Sequence, residues 1–263
     1  ARHTALCAAL AAEAPSWHDF LWGWAVLESR AIFLCDEHLG AHEWAVAPVG
    51  DLFNHHSSAP SVSAGFDNQT GMFVYRAARP LAASEELTLH YGPHDDTTLL
   101  LSYGFALGLD ANPHARAPIT DMTLPDDEQS WLAENSLLDD LYFTPDGPSF
   151  GLLAALRLLH STAEERAGGA CFIILEGEPV SARNEILAWG GARDLAAGCL
   201  ADFRQCCATI DEHDPRSQLA HTWRTARVAL LRAAHQHAES MLATLGAAVQ
   251  HVHEEKSNKR QRM

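Results

Sequence analysis

Near Pro118 the periodicity of the chain changes, and that change limits the fold more than any other feature of its 263 residues. Upstream, Ser61 to Phe66 alternates, Asp67 to Gly71 is rich in turn formers, and Met72 to Ala77 is apolar and partly β-branched. The spacing predicts a β-hairpin there. Glu86 to Tyr91 alternates again and predicts a further strand, while Thr97 to Tyr103 has the look of a short apolar helix. Two helices are expected ahead of these strands, over Thr4 to Glu13 and Trp17 to Leu27, with Pro15-Ser16 capping the second. Downstream of Pro118, Leu, Ala and Ile recur at three- and four-residue intervals over Asp127 to Leu141, Ser149 to His160, Arg183 to Ala188, Asp194 to Ile210 and Ser217 to Ala247. The fold class is therefore α+β: small sheets with helices, then an all-α domain, with the boundary at Asn112 to Pro118.

A hydrophobic fraction of 47% excludes disorder and leaves material for two cores. Acidic residues outnumber basic ones 34 to 18, for a net charge of -16, so no broad surface suits a phosphate backbone and nucleic acid is not expected as a partner. Such a surface attracts basic segments of other proteins instead. No apolar run approaches a membrane span, and Ala5 to Ala14 lacks the flanks of a signal peptide. The cysteines Cys7, Cys35, Cys171, Cys199, Cys206 and Cys207 are too dilute for a disulfide scaffold and form no C-x-x-C, which suits a reducing, intracellular compartment. A monomer is expected.

Several chemistries fail on spacing. The chain contains no G-x-x-x-x-G-K-[ST], G-x-G-x-x-G or G-x-S-x-G, the usual signs of a P-loop, a dinucleotide fold and a hydrolase elbow. His38 and His42 stand four apart beside Glu37 and Glu43, but Gly40 weakens a helix there and no third ligand follows, so no metal is expected. The histidines His235, His237, His251 and His253 read as polar residues of the last helix and its tail.

Three pieces stand out in order: Asp51-Leu-Phe-Asn54-His55, then Glu85-Glu86-Leu-Thr-Leu-His-Tyr91-Gly92, then Leu99-Leu-Leu-Ser-Tyr103-Gly104-Phe105. Together they resemble the SET-domain protein methyltransferases, in the branch of Rubisco large-subunit lysine methyltransferase and actin-histidine methyltransferase. Trp24-Ala25 and Ser29-Arg30 upstream are similar to that family's W-A and S-R. Leu152 to Leu158, Asn184-Glu185 and Thr209 to Asp214 resemble its helical substrate-binding domain.

The resemblance implies S-adenosyl-L-methionine as cofactor, a protein as substrate, and methylation of a lysine on a non-histone protein. It implies Tyr91 as the catalytic tyrosine, and Ser29, Asp51, Asn54, His55 and Tyr103 as cofactor contacts. Arg30, Ile32 and Phe105 fall at substrate-channel positions. Ile32 stands where the lysine enzymes place an apolar residue and the histidine enzymes an Asn, which favours lysine as acceptor because an imidazole needs a hydrogen-bond partner. Asp96 replaces an Asn of the family pattern. The domains implied are residues 1–110, the C-terminal part of a SET domain; residues 111–250, the substrate-binding domain; and residues 251–263, a flexible tail. The family's N-terminal SET portion has no counterpart before Ala1, so a fragment, or a remnant that binds protein without catalysing, is the alternative expectation. Histidine methylation is a second alternative. Chloroplast, cytoplasm and nucleus are not distinguished.

Overall fold

A computed structural model describes residues 15–36, 41–67, 69–120, 122–206 and 217–261. The chain divides into two compact units, one of residues 1–106 and 111–114, the other of residues 107–110 and 115–263.

The first unit is built of short elements. Helix α1, Trp17–Arg30, starts where the Ser16 side chain accepts a hydrogen bond from the Asp19 amide, an N-cap. It runs directly into strands β1, Ala31–Asp36, and β2, Ala41–Val46, an antiparallel pair with Ile32 opposite Ala45. That pair is absent from the sequence reading, because Ala31 to Leu34 is an apolar run without alternation and continues a helix without a stop signal. The second hairpin lies where the alternation puts it, with β4, Val62–Asp67, antiparallel to β5, Met72–Ala77. Its turn is held by the Asp67 carboxylate, which accepts from the Gln69 and Thr70 amides.

The alternation at Glu86 to Tyr91 yields only the two-residue strand β6, Thr88–Leu89. It pairs in parallel with β3, Asn54–His55, and the His56 amide continues the ladder to the Leu89 carbonyl at 2.8 Å. A helical turn at Asp96–Thr98 then opens into a π-helical stretch, Leu99–Tyr103.

The second unit is mostly helical. Helix α2, Asp126–Glu134, is shorter than its periodicity suggests, ending before Ser136, whose φ is 58°. Leu137, Leu138 and Leu141 pack on the core without being helical. A small antiparallel sheet of β7, Ala117–Pro118, β8, Tyr142–Thr144, and β9, Gly147–Pro148, accompanies the helices. Helix α3, Phe150–Leu159, is capped by Ser149, and helix α4, Ala163–Ala167, by a reciprocal Thr162–Glu165 capping box. Helix α5, Ala170–Leu175, follows.

Arg183 to Ala188 and Asp194 to Ile210 are not two helices. Helix α6, Ala182–Cys206, is continuous through Gly190-Gly191, and a Cβ at Gly191 would stand 3.1 Å from the Leu156 side chain. Gly191 serves close packing rather than a break. Helix α7, Ser217–Gln261, buries Leu230, Leu231, Ala234 and Ala238 as one stripe in a cluster with Leu152, Leu156, Ala188 and Ala192. It also runs on through most of the segment expected to be a flexible tail, which contains no glycine or proline.

The helical-domain motifs meet in this core. Arg157 and Glu185, 6% and 5% exposed, form a two-pronged ion pair at 2.6 and 3.1 Å. Asn184 donates to the Arg157 carbonyl at 2.9 Å. Thr4 to Glu13, His38 of the His38 and His42 pair, and Thr209 to Asp214 lie outside the described residues.

Candidate active site

The β3–β6 pairing brings two distant motifs together. The Tyr91 amide donates to His55 Nδ1 at 3.1 Å, and the two rings lie 5.2 Å apart. For this bond the imidazole must be neutral at Nδ1, and it is: burial, reinforced by His90 and His94, lowers the His55 pKa to about 4.

The Tyr91 hydroxyl donates to the Phe53 carbonyl at 2.5 Å, which aims it at a cleft of about 550 Å³. Burial raises the Tyr91 pKa, with the Arg30 cation acting in the opposite sense, so the phenol stays neutral at pH 7. Tyr103 packs 4.9 Å from Tyr91, and Phe105 lies 6.3 Å from Tyr103 and 5.9 Å from His55. Four rings thus surround one point of the fold.

Both Y-G dipeptides have a backbone reason. Gly92 has φ 138°, and Gly104, with φ 80°, closes the π-helical stretch. Each tyrosine is therefore followed by a conformation that side chains disfavour, which turns the chain away and leaves the ring in place.

The predicted site residues fall into two groups. Ser29, Arg30, Ile32, Asp51, Tyr91 and Tyr103 line the cleft. Asn54, His55 and Phe105 do not. Successive strand residues point to opposite faces, so Asn54 is exposed and donates to Glu86 at 2.6 Å, while His55 turns inward to the rings. Ser29 bonds back to the Ala25 carbonyl at 2.7 Å. Arg30 reaches across to the Asp51 carbonyl at 2.7 Å and to its carboxylate at 3.6 Å. Asp96 is buried away from the cleft lining, and its carboxylate accepts from Asn112 at 3.0 Å. The Asn112 amide also donates to the His94 carbonyl, so the departure from the family pattern ties the Tyr91–Tyr103 connection to Asn112.

Sequence reasoning does not single out Phe53, Phe73, Tyr75 or His94, which line the same cleft. Phe73 and Tyr75 belong to an alternating strand, and nothing in the alternation distinguishes a cleft wall from a core face. Phe53 contributes its backbone carbonyl, which no side-chain pattern reveals. Among the described residues no group of three or more His, Cys, Asp or Glu could hold a metal ion, and no helix is long and apolar enough to cross a membrane.

Residues 12–92 match the family model described as SET domain. SET domain-containing protein 4 of Mus musculus is 35% identical over 202 residues, covering 71% of this chain and 45% of that protein. The ribosomal lysine N-methyltransferase set11 of Schizosaccharomyces pombe is 26% identical over 160 residues, covering 58% of this chain and 39% of its own. The chain spans less than half the length of these relatives. Among solved structures, the SET domain of LSMT bound to lysine and AdoHcy aligns with a TM-score of 0.52 at 19% identity, covering 89% of this chain and 57% of that one. Rubisco LSMT bound to sinefungin and monomethyllysine gives 0.52 at 20% identity with the same coverage. The chain thus carries SET-domain sequence over residues 12–92, in the fold that those LSMT structures share.

Proposed function

We propose that this chain is the transfer site of an S-adenosylmethionine-dependent protein-lysine N-methyltransferase acting on a non-histone protein. The observation that carries the reading is the Tyr91 hydroxyl, fixed by the Phe53 carbonyl on the wall of a cleft lined by aromatic rings. The cleft takes the acceptor side chain at the Tyr91 hydroxyl, and the cofactor lies among Ser29, Asp51 and Tyr103 of the cleft wall and the neighbouring Asn54 and His55. The residues present fit a sulfonium ligand: the rings of Tyr91, Tyr103, Phe105 and neutral His55 converge, and aromatic faces attract a cation. Asn54, exposed beside them, offers an amide to the polar end.

When bound, S-adenosylmethionine supplies an electrophilic methyl carbon, which the amine lone pair attacks while the carbon–sulfur bond breaks. The chain's part is mostly positioning. A lysine amine with a reference pKa of about 10.4 arrives protonated and must lose its proton to solvent before it acts as nucleophile. Desolvation in the partly buried cleft and the positive sulfonium beside it disfavour the charged form, and the neutral Tyr91 hydroxyl, already donating to Phe53, keeps lone pairs free to accept from the amine. Ile32 on the cleft wall offers no hydrogen bond to an imidazole, which supports lysine over histidine.

The test is calorimetric titration with S-adenosylmethionine, on the wild-type chain and on Asn54→Ala. Saturable binding that Asn54→Ala weakens is expected; no binding by the wild-type chain would remove the cofactor from the proposal.

A further inference from the structure

Tyr91 carries three polar groups, and two of them are held as described: its amide donates to His55 and its hydroxyl to the Phe53 carbonyl. The third, its backbone carbonyl, meets His94 Nε2 at 3.2 Å. A carbonyl only accepts, so the contact requires the His94 proton on Nε2 and leaves Nδ1 as the acceptor nitrogen. The ring reaches back over Gly92 to make this bond. An added Cβ at Gly92 would stand 2.6 Å from Nε2, so only glycine leaves the imidazole its room. The backbone closes the same turn, with the His94 amide donating to the Gly92 carbonyl at 2.8 Å.

The surroundings show why such a tie matters. Strand β6 ends at Leu89, so the ladder stops short of Tyr91. Glycine then follows directly, at φ 138°, and gives the chain its greatest freedom just where the phenol must hold still. His94 is itself anchored from the far side. Its carbonyl accepts from Asn112 Nδ2 at 3.2 Å, and the same amide group donates to buried Asp96 at 3.0 Å. The His94 and Tyr103 rings lie 5.6 Å apart, with the Tyr103 hydroxyl 3.5 Å from Nε2, the outer limit of a hydrogen bond. One imidazole on the cleft wall thus stands between the two tyrosines.

We propose that His94 is a positioning residue for methyl transfer: its Nε2–H holds the Tyr91 carbonyl, and through it the phenol, in the alignment that the transfer needs. It acts through Tyr91 and not on the substrate, so its contribution falls on the maximal rate rather than on binding. This inference rests on the methyltransferase reading.

The test compares two variants. His94→Phe keeps a ring against Tyr103 but has no donor, whereas His94→Gln returns an amide N–H to about the place of Nε2. Labelled methyl transfer to a protein extract is followed as S-adenosylmethionine is varied. His94→Phe is expected to lower the maximal rate about tenfold, the scale of one hydrogen bond, with the S-adenosylmethionine KM and calorimetric Kd within about twofold of wild type. His94→Gln recovers most of the rate. A full rate in His94→Phe, a loss confined to KM, or equal losses in the two variants overturns the proposal. A second measurement needs no activity: the imidazole ¹⁵N spectrum of the wild-type chain at about pH 8, where ordinary imidazoles are neutral, with the His94 signals identified by their absence from His94→Gln. It is expected to show the proton on Nε2; a proton on Nδ1 overturns the proposal. A wild-type chain that transfers no methyl group would remove the methyltransferase reading, and the position of that proton would then decide alone whether His94 holds Tyr91.

Discussion

Replacing Glu185 by Gln tests the reading of the helical unit. The change keeps shape and volume but strips the charge from the partner of Arg157. Arg157 is 6% exposed and Glu185 5%, so water does not take over the solvation of the guanidinium. Its remaining bond, from Nη1 to the Gly177 carbonyl at 3.1 Å, carries no charge. Leaving one member of a buried pair without its counter-charge costs about 3–5 kcal/mol. For a unit of this size that lowers the melting temperature by roughly 6–20 °C. Differential scanning calorimetry of wild type and Glu185→Gln reads the shift, and replacing both residues by Met and Leu recovers much of it, since packing can stand in for the pair. A shift below about 2 °C, less than 1 kcal/mol, would mean that the pair is solvated and that α3 and α6 are not locked as described.

Further expectations concern the SET-domain unit. The lowered His55 pKa means that the unfolded chain binds a proton that the folded chain refuses between pH 6.5 and about 4. Stability is therefore complete above pH 6.5 and falls as the pH drops through that window. Melting temperatures between pH 7.5 and 4.5 show the fall, and His55→Asn flattens it; an unchanged slope would mean that another group is responsible. Ile32→Asn gives the cleft wall a hydrogen-bonding group, so methylation of a histidine peptide relative to the matching lysine peptide rises; an unchanged ratio removes Ile32 from acceptor choice. Gly50→Ala collides with Tyr75 and destabilises by about 1–3 kcal/mol, measured by urea unfolding, unless Tyr75 is shortened to Val in the same chain.

Elements that bury one face of a regular structure are the ones legible in the sequence. The β4–β5 hairpin and the α7 stripe follow from periods of two and of three to four residues. Helix α1 was legible from its Ser16 cap. The β1–β2 pair was not, because a strand that continues straight from a helix carries no punctuation. The periodicity split helix α6 into Arg183 to Ala188 and Asp194 to Ile210, although it runs on through Gly191, which packs on Leu156. At the site, order and spacing announced Asn54, His55, Tyr91, Tyr103 and Phe105 through a family resemblance. What the sequence withheld was the backbone's share: the parallel pairing that seats His55 under Tyr91, and the Phe53 carbonyl that aims the phenol. Backbone groups are the same at every position, so only folding reveals which of them serve.

The central claim is methyl transfer aligned by Tyr91. Its most direct test is incubation of the chain with methyl-labelled S-adenosylmethionine and a protein extract, followed by amino-acid analysis of the label, for wild type and Tyr91→Phe. The account predicts label on lysine with the wild type, at least a hundredfold less with Tyr91→Phe, about 2.7 kcal/mol of lost transition-state stabilisation, and near-equal cofactor affinity. Equal labelling by the two chains would contradict it.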